Sequence, residues 1–380
     1  MTTNTLQPAI QTTGLEPLWL SELGPNPLVS VLMSVYNYGQ YVGAAIRSVL
    51  NQTYANFELI ICDDGSTDDS VSQIQKYLSD PRVRLFRKAN GGQATGFNMA
   101  FENARGDIVT FLDADDVYTT RKLARIVEKI RNHPASGCVL NGSQFADEFL
   151  RPLGNLPLMA KLPSGWLAST ALQSGGILPY MCGTPGMNMR REVAQAIFPL
   201  PTEQPFCRFP DMLLWRLLPL FAVISVIQEP LATIRLHGTN SYQQSRITAE
   251  SLKRELDINE ELWSELRRRL VTIDPGLGDL LAPPDASPSI LLQSYMHARL
   301  TRSAERRAYH ARLLASLHLE GAGRARRALW TAAPYLPVFI FERLINLLFT
   351  RNRWKALMAK SISGIRHRSS GAYRRRNSTK

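Results

Sequence analysis

From residue 28 to residue 140, apolar runs of strand length alternate with amphipathic runs of helix length. Residues 29–35 form an almost unbroken apolar stretch, the pattern of a strand covered on both faces. Residues 41–50 follow, with Val42, Ile46 and Val49 on one face of a helix. The same alternation predicts further strands over 57–62, 83–86, 107–112 and 137–140. Helices are expected over 93–103, from Thr119 or Thr120 through Arg131, and after Ser66 or Thr67. At the last of these, Asp68 and Asp69 would sit at the positive end of the dipole. Strand and helix in regular alternation imply right-handed crossovers, hence an α/β fold with a mostly parallel sheet and helices on both faces.

After Pro152 the pattern breaks into loops, short strands and one helix near 212–218. From Ala249 it turns helical: Leu252, Leu256, Trp263, Leu266 and Leu270 recur at near-helical spacing. Pro283, Pro284 and Pro288 interrupt it, and a further helix is expected over 290–319. The expected organisation is a loose lead-in over 1–26, an α/β domain over 27–245, a helical region over 246–350 and a basic tail over 351–380. No internal repeat is visible.

Three polar clusters fall at expected strand ends: Tyr36-Asn37, Asp63-Asp64-Gly65-Ser66 and Asp113-Ala114-Asp115-Asp116. Ligands of parallel sheets bind at the carboxyl ends of the strands, so the fold would gather these carboxylates along one edge. Acids this dense repel one another unless a cation or a donor shares the site. A hard divalent metal held by one or two carboxylates together with substrate phosphates resolves that repulsion.

Charge and cysteine content narrow the classes. The formal net charge is +12 over 380 residues, and the last 30 residues hold ten basic side chains and no acid. The basicity therefore belongs to an appendage. Four cysteines are scattered without a CxxC or Cys/His cluster, which indicates neither a zinc site nor a disulfide framework and fits a reducing cytoplasmic setting. No leader pattern opens the chain, and no apolar stretch reaches the ~18 residues of a membrane span. Residues 338–349 would place Glu342, Arg343 and Asn346 on a narrow polar stripe of an otherwise apolar helix. Followed by Trp354 and the basic run, this suits peripheral contact with an anionic membrane surface; the alternative is a helix packed on the protein beside a disordered tail. Sparse aromatics in the tail and no recognition fold speak against nucleic acid.

The stretches VSVLMSVYNYGQYVGAAIRSVLNQTYANFELIICDDGSTDD and NGGQATGFNMAFENARGDIVTFLDADD resemble family 2 of the inverting glycosyltransferases, which have the GT-A fold. Weaker likeness continues through RFPDMLLWRL and IRLHGTNSY, covering roughly 28–242. The resemblance implies that Ser34, Tyr36 and Asp64 hold the nucleotide base; a carboxylate suits uracil, which offers an N–H between two carbonyls. It implies a backbone approach to the nucleotide at Gly91-Gly92. It further implies Asp113 near the ribose and metal, Asp115 on the metal (Mn²⁺ or Mg²⁺), and His237 joining the metal shell. Asp211 is implied as the general base, with Pro210 standing where the family usually has a second acid. Phe97 replaces a frequent arginine, so a diphosphate contact there would be absent or fall to Arg235 or His237. On its own, a lone aspartate such as Asp211 at a helix start reads as an N-cap.

The implied activity is transfer of a sugar, by single displacement, from a UDP-linked donor to a hydroxyl of a saccharide or lipid-linked acceptor. The implied setting is bacterial surface polysaccharide assembly at the inner face of the cell membrane. Two alternatives remain: a nucleotidyltransferase, although Ser34 to Gly39 lacks the basic glycine-rich signature, and a membrane-bound scaffold with a non-catalytic domain.

Overall fold

The computed structural model describes residues 15–155, 162–178, 182–238, 246–319 and 324–349; the basic tail with Trp354 lies outside them. The described residues fall into two compact units, one within 15–237 and 260–284, the other within 238–259 and 285–349.

The first unit runs β1 (Val29–Val35), α1 (Gly39–Leu50), β2 (Phe57–Asp63), α2 (Ser70–Gln75), β3 (Val83–Arg87), α3 (Gln93–Glu102), β4 (Ile108–Phe111), β5 (Val117–Tyr118), α4 (Lys122–Asn132), β6 (Ser136–Ala146), β7 (Pro152–Asn155), α5 (Ala168–Gln173), β8 (Met187–Arg190), α6 (Arg191–Ile197), α7 (Pro210–Phe221) and β9 (Val223–Arg235). The strands make one sheet in the order β3-β2-β1-β4-β8-β6-β9-β5, with β7 on β6. Strands β1, β2, β3 and β4 pair in parallel, and β6 pairs in parallel with β9. Strand β8 lies antiparallel between β4 and β6 and so restores the common direction beyond it.

Strands β1, β2 and β4 are buried at every position, as a sheet with two covered faces requires. On one face Val29, Val31, Met33 and Val35 share a core with Val42, Ile46 and Val49 of α1 and Leu123, Ile126 and Ile130 of α4. On the other lies α3: Gly96 abuts Ser34, whose Oγ a Cβ would meet at 2.2 Å, and Phe97 packs edge-on to Phe111 with centroids 5.2 Å apart. Phe97 is thus a core residue. Met187 and Met189 are likewise buried in β8.

The helix expected from Ser66 or Thr67 begins at Ser70, after Asp69. Ser66 and Thr67 serve the neighbouring loop instead: Ser66 Oγ accepts from Asn37 N (3.0 Å), and Thr67 N donates to Asn37 Oδ1 (2.8 Å). Asn37 sits at φ 58°, a left-handed turn that asparagine tolerates. The strand expected over 137–140 continues to Ala146, sustained by its parallel partner β9.

The second unit holds the start of α8 (Ala249–Ile273), then, after α9 (Pro275–Leu280) of the first unit, α10 (Pro288–Leu300), α11 (Arg306–Leu319), α12 (Arg324–Ala332) and α13 (Val338–Phe349). Its core gathers Leu252, Leu291, Tyr295, Leu313, Leu317, Trp330, Phe341 and Ile345. The single helix expected over 290–319 is two, because the chain reverses at Arg302 (φ 55°), where Ser303 N closes onto Ala298 O (2.9 Å).

Candidate active site

Register sets the edge on which the site is built. Val35 pairs with Asp63 and Asp63 with Arg87, while Leu112 N donates to Leu32 O, so β1, β2, β3 and β4 all end at the same side. The loops leaving β2 and β4 carry the two acidic clusters.

In the cluster after β4, Asp115 Oδ2 lies 2.9 Å from His237 Nε2. The His237 ring rests on Tyr41 (centroids 4.5 Å) with Tyr38 edge-on at 6.0 Å. Residues 122 apart meet because β9 carries the chain back to the sheet edge: Arg235 N donates to Asp116 Oδ1 (2.9 Å) and Arg235 Nε to the Asp115 carbonyl (2.8 Å). The Arg235 guanidinium also lies over Tyr41 (4.7 Å) and donates to Glu148 O. Asp113 accepts from Gln93 Nε2 (2.6 Å) and from the Thr184 hydroxyl. Burial, then the Asp115 and Asp211 carboxylates, push Asp113 up to about 8 despite those donors. Burial, then the Asp115 and Asp113 carboxylates, raise Asp116 well above the carboxylate range. Burial followed by Asp115, Asp113 and Asp116 raises the Tyr38 phenol, which marks its place beside the three acids. Among the described residues no three His, Cys, Asp or Glu side chains close into a metal cage. The donor set nevertheless fits a divalent cation: a carboxylate and an imidazole in contact, with further acids crowded enough to hold a proton.

In the cluster after β2, Asp64 is nearly saturated with donors. Its Oδ1 accepts from Lys88 Nζ (2.5 Å), Gly91 N (3.0 Å) and Thr95 Oγ1 (3.3 Å), and its Oδ2 from Gly92 N (2.7 Å). A carboxylate has about four lone-pair sites, so Oδ2 retains room for one outside N–H. Gly92 has φ 93°, and a Cβ there would meet Cys207 O at 2.6 Å, so glycine is required on both counts. Asp64 N donates to Val35 O (2.8 Å), placing it beside the end of β1, where Ser34 is buried and Tyr36 is exposed.

Asp211 is buried in the first turn of α7, after Pro210 at the first helical position. The N-cap position is held by Phe209, which makes no side-chain cap hydrogen bond, and Asp211 lies one residue inside the helix. Ala94 N donates to Cys207 O (3.0 Å), tying the start of α3 to the approach of α7. The structure thus brings Asp113, Asp115, His237 and Asp211 into one electrostatic cluster, and Asp64, Gly91 and Gly92 into a second. Gln93, Lys88, Thr184 and Tyr38 were not foreseen, because no local pattern marks a residue whose partner lies elsewhere in the fold. Beneath the first cluster, buried Lys122 donates to Asn141 Oδ1 (2.8 Å) and Pro185 O (2.6 Å), next to the Thr184 that serves Asp113.

The family described as Glycosyl transferase family 2 matches residues 30–198. A glycosyltransferase of Nostoc sp. is 34% identical over 229 residues, covering 57% of this chain and 67% of that protein. The chain belongs to glycosyl transferase family 2. It is a glycosyltransferase, which decides against nucleotidyl transfer. A second relative, the hyaluronan synthase of Pasteurella multocida, is 42% identical over 103 residues, 27% of this chain and 11% of the synthase. The chain therefore spans two thirds of the first relative and a small part of the second. Among solved structures, S. aureus TarS 1-349 in complex with UDP covers 84% of this chain and 90% of its own at 20% identity and a TM-score of 0.47.

Proposed function

We propose that the protein is an inverting, metal-dependent glycosyltransferase that moves a sugar from a nucleotide donor, UDP-linked, to a hydroxyl of a saccharide or lipid-linked acceptor. The contact between Asp115 and His237, inside a cluster acidic enough to hold a proton on Asp113, carries this reading. Asp113, Asp115 and His237 would hold Mn²⁺ or Mg²⁺, which when bound neutralises charge developing on the departing diphosphate. Imidazole in the set favours Mn²⁺.

The remaining work falls to side chains. Ser34, Tyr36 and the open lone pair of Asp64 would hold the base, and the Gly91-Gly92 turn lets backbone approach the nucleotide. Asp211 accepts the proton of the acceptor hydroxyl as its oxygen attacks the anomeric carbon opposite the diphosphate. The bond to the diphosphate breaks as the glycosidic bond forms, so configuration inverts without a covalent enzyme intermediate. General-base help of this kind contributes about 10²–10⁴-fold. Relatives named as hyaluronan and chondroitin synthases support a role in surface polysaccharide assembly. The apolar α13 and the basic tail support peripheral contact with the inner face of the cell membrane.

The test is Asp211→Asn, assayed for transfer and for donor binding. Transfer is expected to fall 10²–10⁴-fold while the donor Kd stays within about twofold. Wild-type transfer by the variant would remove Asp211 as the base.

A further inference from the structure

We propose that the C-terminal unit carries a site for the phosphate of an anionic lipid, formed by Arg299, Arg302 and Arg306 at the start of α13. The proposal deepens the membrane reading above and rests on it.

These three arginines, with Leu336, Pro337 and Val338, line a cavity of about 300 Å³ into which no acidic side chain reaches. Among the described residues none of the three forms an ion pair. Arg299 lies over the Phe341 ring (5.7 Å) and meets the Tyr295 hydroxyl, and the other hydrogen bonds of Arg299 and Arg306 go to carbonyls. Arg299 Nη2 donates to Pro334 O (3.0 Å) and to Leu336 O, while its Nε is buried without a partner. Arg306 Nη1 donates to Ser303 O (2.8 Å) and Arg302 O (3.2 Å). A guanidinium has five N–H donors, so most of the donor capacity around the cavity is unspent. A phosphate, with three or four acceptor oxygens, matches that surplus in geometry and charge.

The helix adds to the same field. Phe341 N donates to Pro337 O (2.9 Å), the first turn of α13. The N–H groups before it have no intrahelical acceptor and point out of the positive end of a twelve-residue helix.

A lipid rather than a soluble phosphate is the occupant because of what borders the cavity. Tyr335 is 86% exposed and Phe339 61%, and Ile340 and Leu347 lie exposed on the same side of α13, opposite buried Phe341 and Ile345. Large apolar side chains left in water forgo the gain that burial would bring. An acyl region beside a bound headgroup would cover them, with the basic cavity at headgroup depth.

The experiment is sedimentation of the full-length protein with phosphatidylcholine vesicles, with and without phosphatidylglycerol. Wild type is expected to favour phosphatidylglycerol. The pair Arg302→Gln and Arg306→Gln should weaken that binding about thirtyfold, from the contribution of each arginine near an anionic surface. The control pair Arg307→Gln and Lys253→Gln removes the same charge elsewhere on the unit and should weaken it less than about threefold. Phe339→Gln, at an exposed position, should lower binding without altering the melting temperature. If wild type ignores phosphatidylglycerol, the membrane reading falls and takes the cavity with it. If wild type binds and the Arg302/Arg306 pair binds no worse than the control, the cavity alone is overturned. Protection by inorganic phosphate, with vesicle binding unchanged by the double substitution, would assign the cavity to a soluble anion and overturn the lipid.

Discussion

Two acidic clusters sit on the same sheet edge and have opposite electrostatics. Asp64 is surrounded by donors from Lys88, Gly91, Gly92 and Thr95; the protein itself neutralises and orients it. Asp113, Asp115 and Asp116 crowd one another, with Asp211 near Asp113 and Arg235 beside Asp115 and Asp116, and two of the three are still pushed towards the protonated form. A carboxylate furnished with donors is a finished recognition element. A group of carboxylates short of positive charge is an unfinished one, completed by something brought from outside. The difference supports the proposed division of labour, in which Asp64 would read a neutral base and the other cluster would take a cation and a diphosphate.

The sharpest way to break this contrast is Asp115→Asn. If the cluster is a cation site, transfer should fall about 10³-fold or more, since Lewis-acid assistance contributes several kcal/mol, and UDP binding should lose its dependence on Mn²⁺. Transfer assays and calorimetric titration of UDP with and without Mn²⁺ check both. Retained metal dependence would place the cation elsewhere.

Asp64→Asn attacks the other side. It leaves Lys88 without its carboxylate and turns one acceptor oxygen into a donor facing backbone N–H groups. Loss of a buried charge-assisted contact costs about 1–3 kcal/mol. A melting temperature several degrees lower and a donor KM raised about ten- to a hundredfold are expected, with kcat reduced less. A variant that loses kcat and keeps KM would make Asp64 part of the chemistry.

How much of this contrast could be read in sequence follows from where each partner lies. Strands β1, β2 and β4 were legible because full burial leaves an unbroken apolar run, and the acids after them because they are contiguous. Strand β8 was not, since it carries polar Asn188 and Arg190; Asn188 is satisfied only in three dimensions, by Thr110 Oγ1 (2.7 Å) and the Val139 carbonyl (2.7 Å). Lys122, a charged residue at a helix start, is fully buried against Asn141 and Pro185, and nothing local in the sequence marks that. The break at Arg302 has neither glycine nor proline to announce it. Phe97, singled out as a departure from the family, proved interpretable: its ring fills the space against Phe111, so no charged side chain there could be buried cheaply.

The third prediction is a linkage effect. Folded Asp113 keeps its proton to about pH 8, whereas an unfolded aspartate loses it near 3.8. Between those values the folded state binds the extra proton, so metal-free stability from this group falls as pH rises and levels off above 8. Mn²⁺ should therefore raise the melting temperature more at pH 8 than at pH 6, and its binding at pH 7 should release about one proton. Calorimetry in buffers of different ionisation enthalpy measures that proton, and Asp113→Asn should abolish its release. An equal shift by Mn²⁺ at both pH values would show that the cluster is not where the ion binds.

The smallest expected effect probes the seam between the clusters. Gly92 N donates to Asp64 and the next side chain, Gln93, donates to Asp113, so two consecutive residues at the start of α3 tie the satisfied acid to the unsatisfied one. Gln93→Leu keeps the helix start and removes only the second tie. Worth about 0.5–1.5 kcal/mol, one such hydrogen bond predicts up to about a tenfold rise in donor KM at fixed Mn²⁺. The pH at which Mn²⁺ binding releases its proton should also move upward, since Asp113 loses a donor that favours its charged form. If Gln93→Leu instead lowers the melting temperature as much as Asp64→Asn, the loop and not the carboxylate depends on Gln93, and the two clusters are one structural unit.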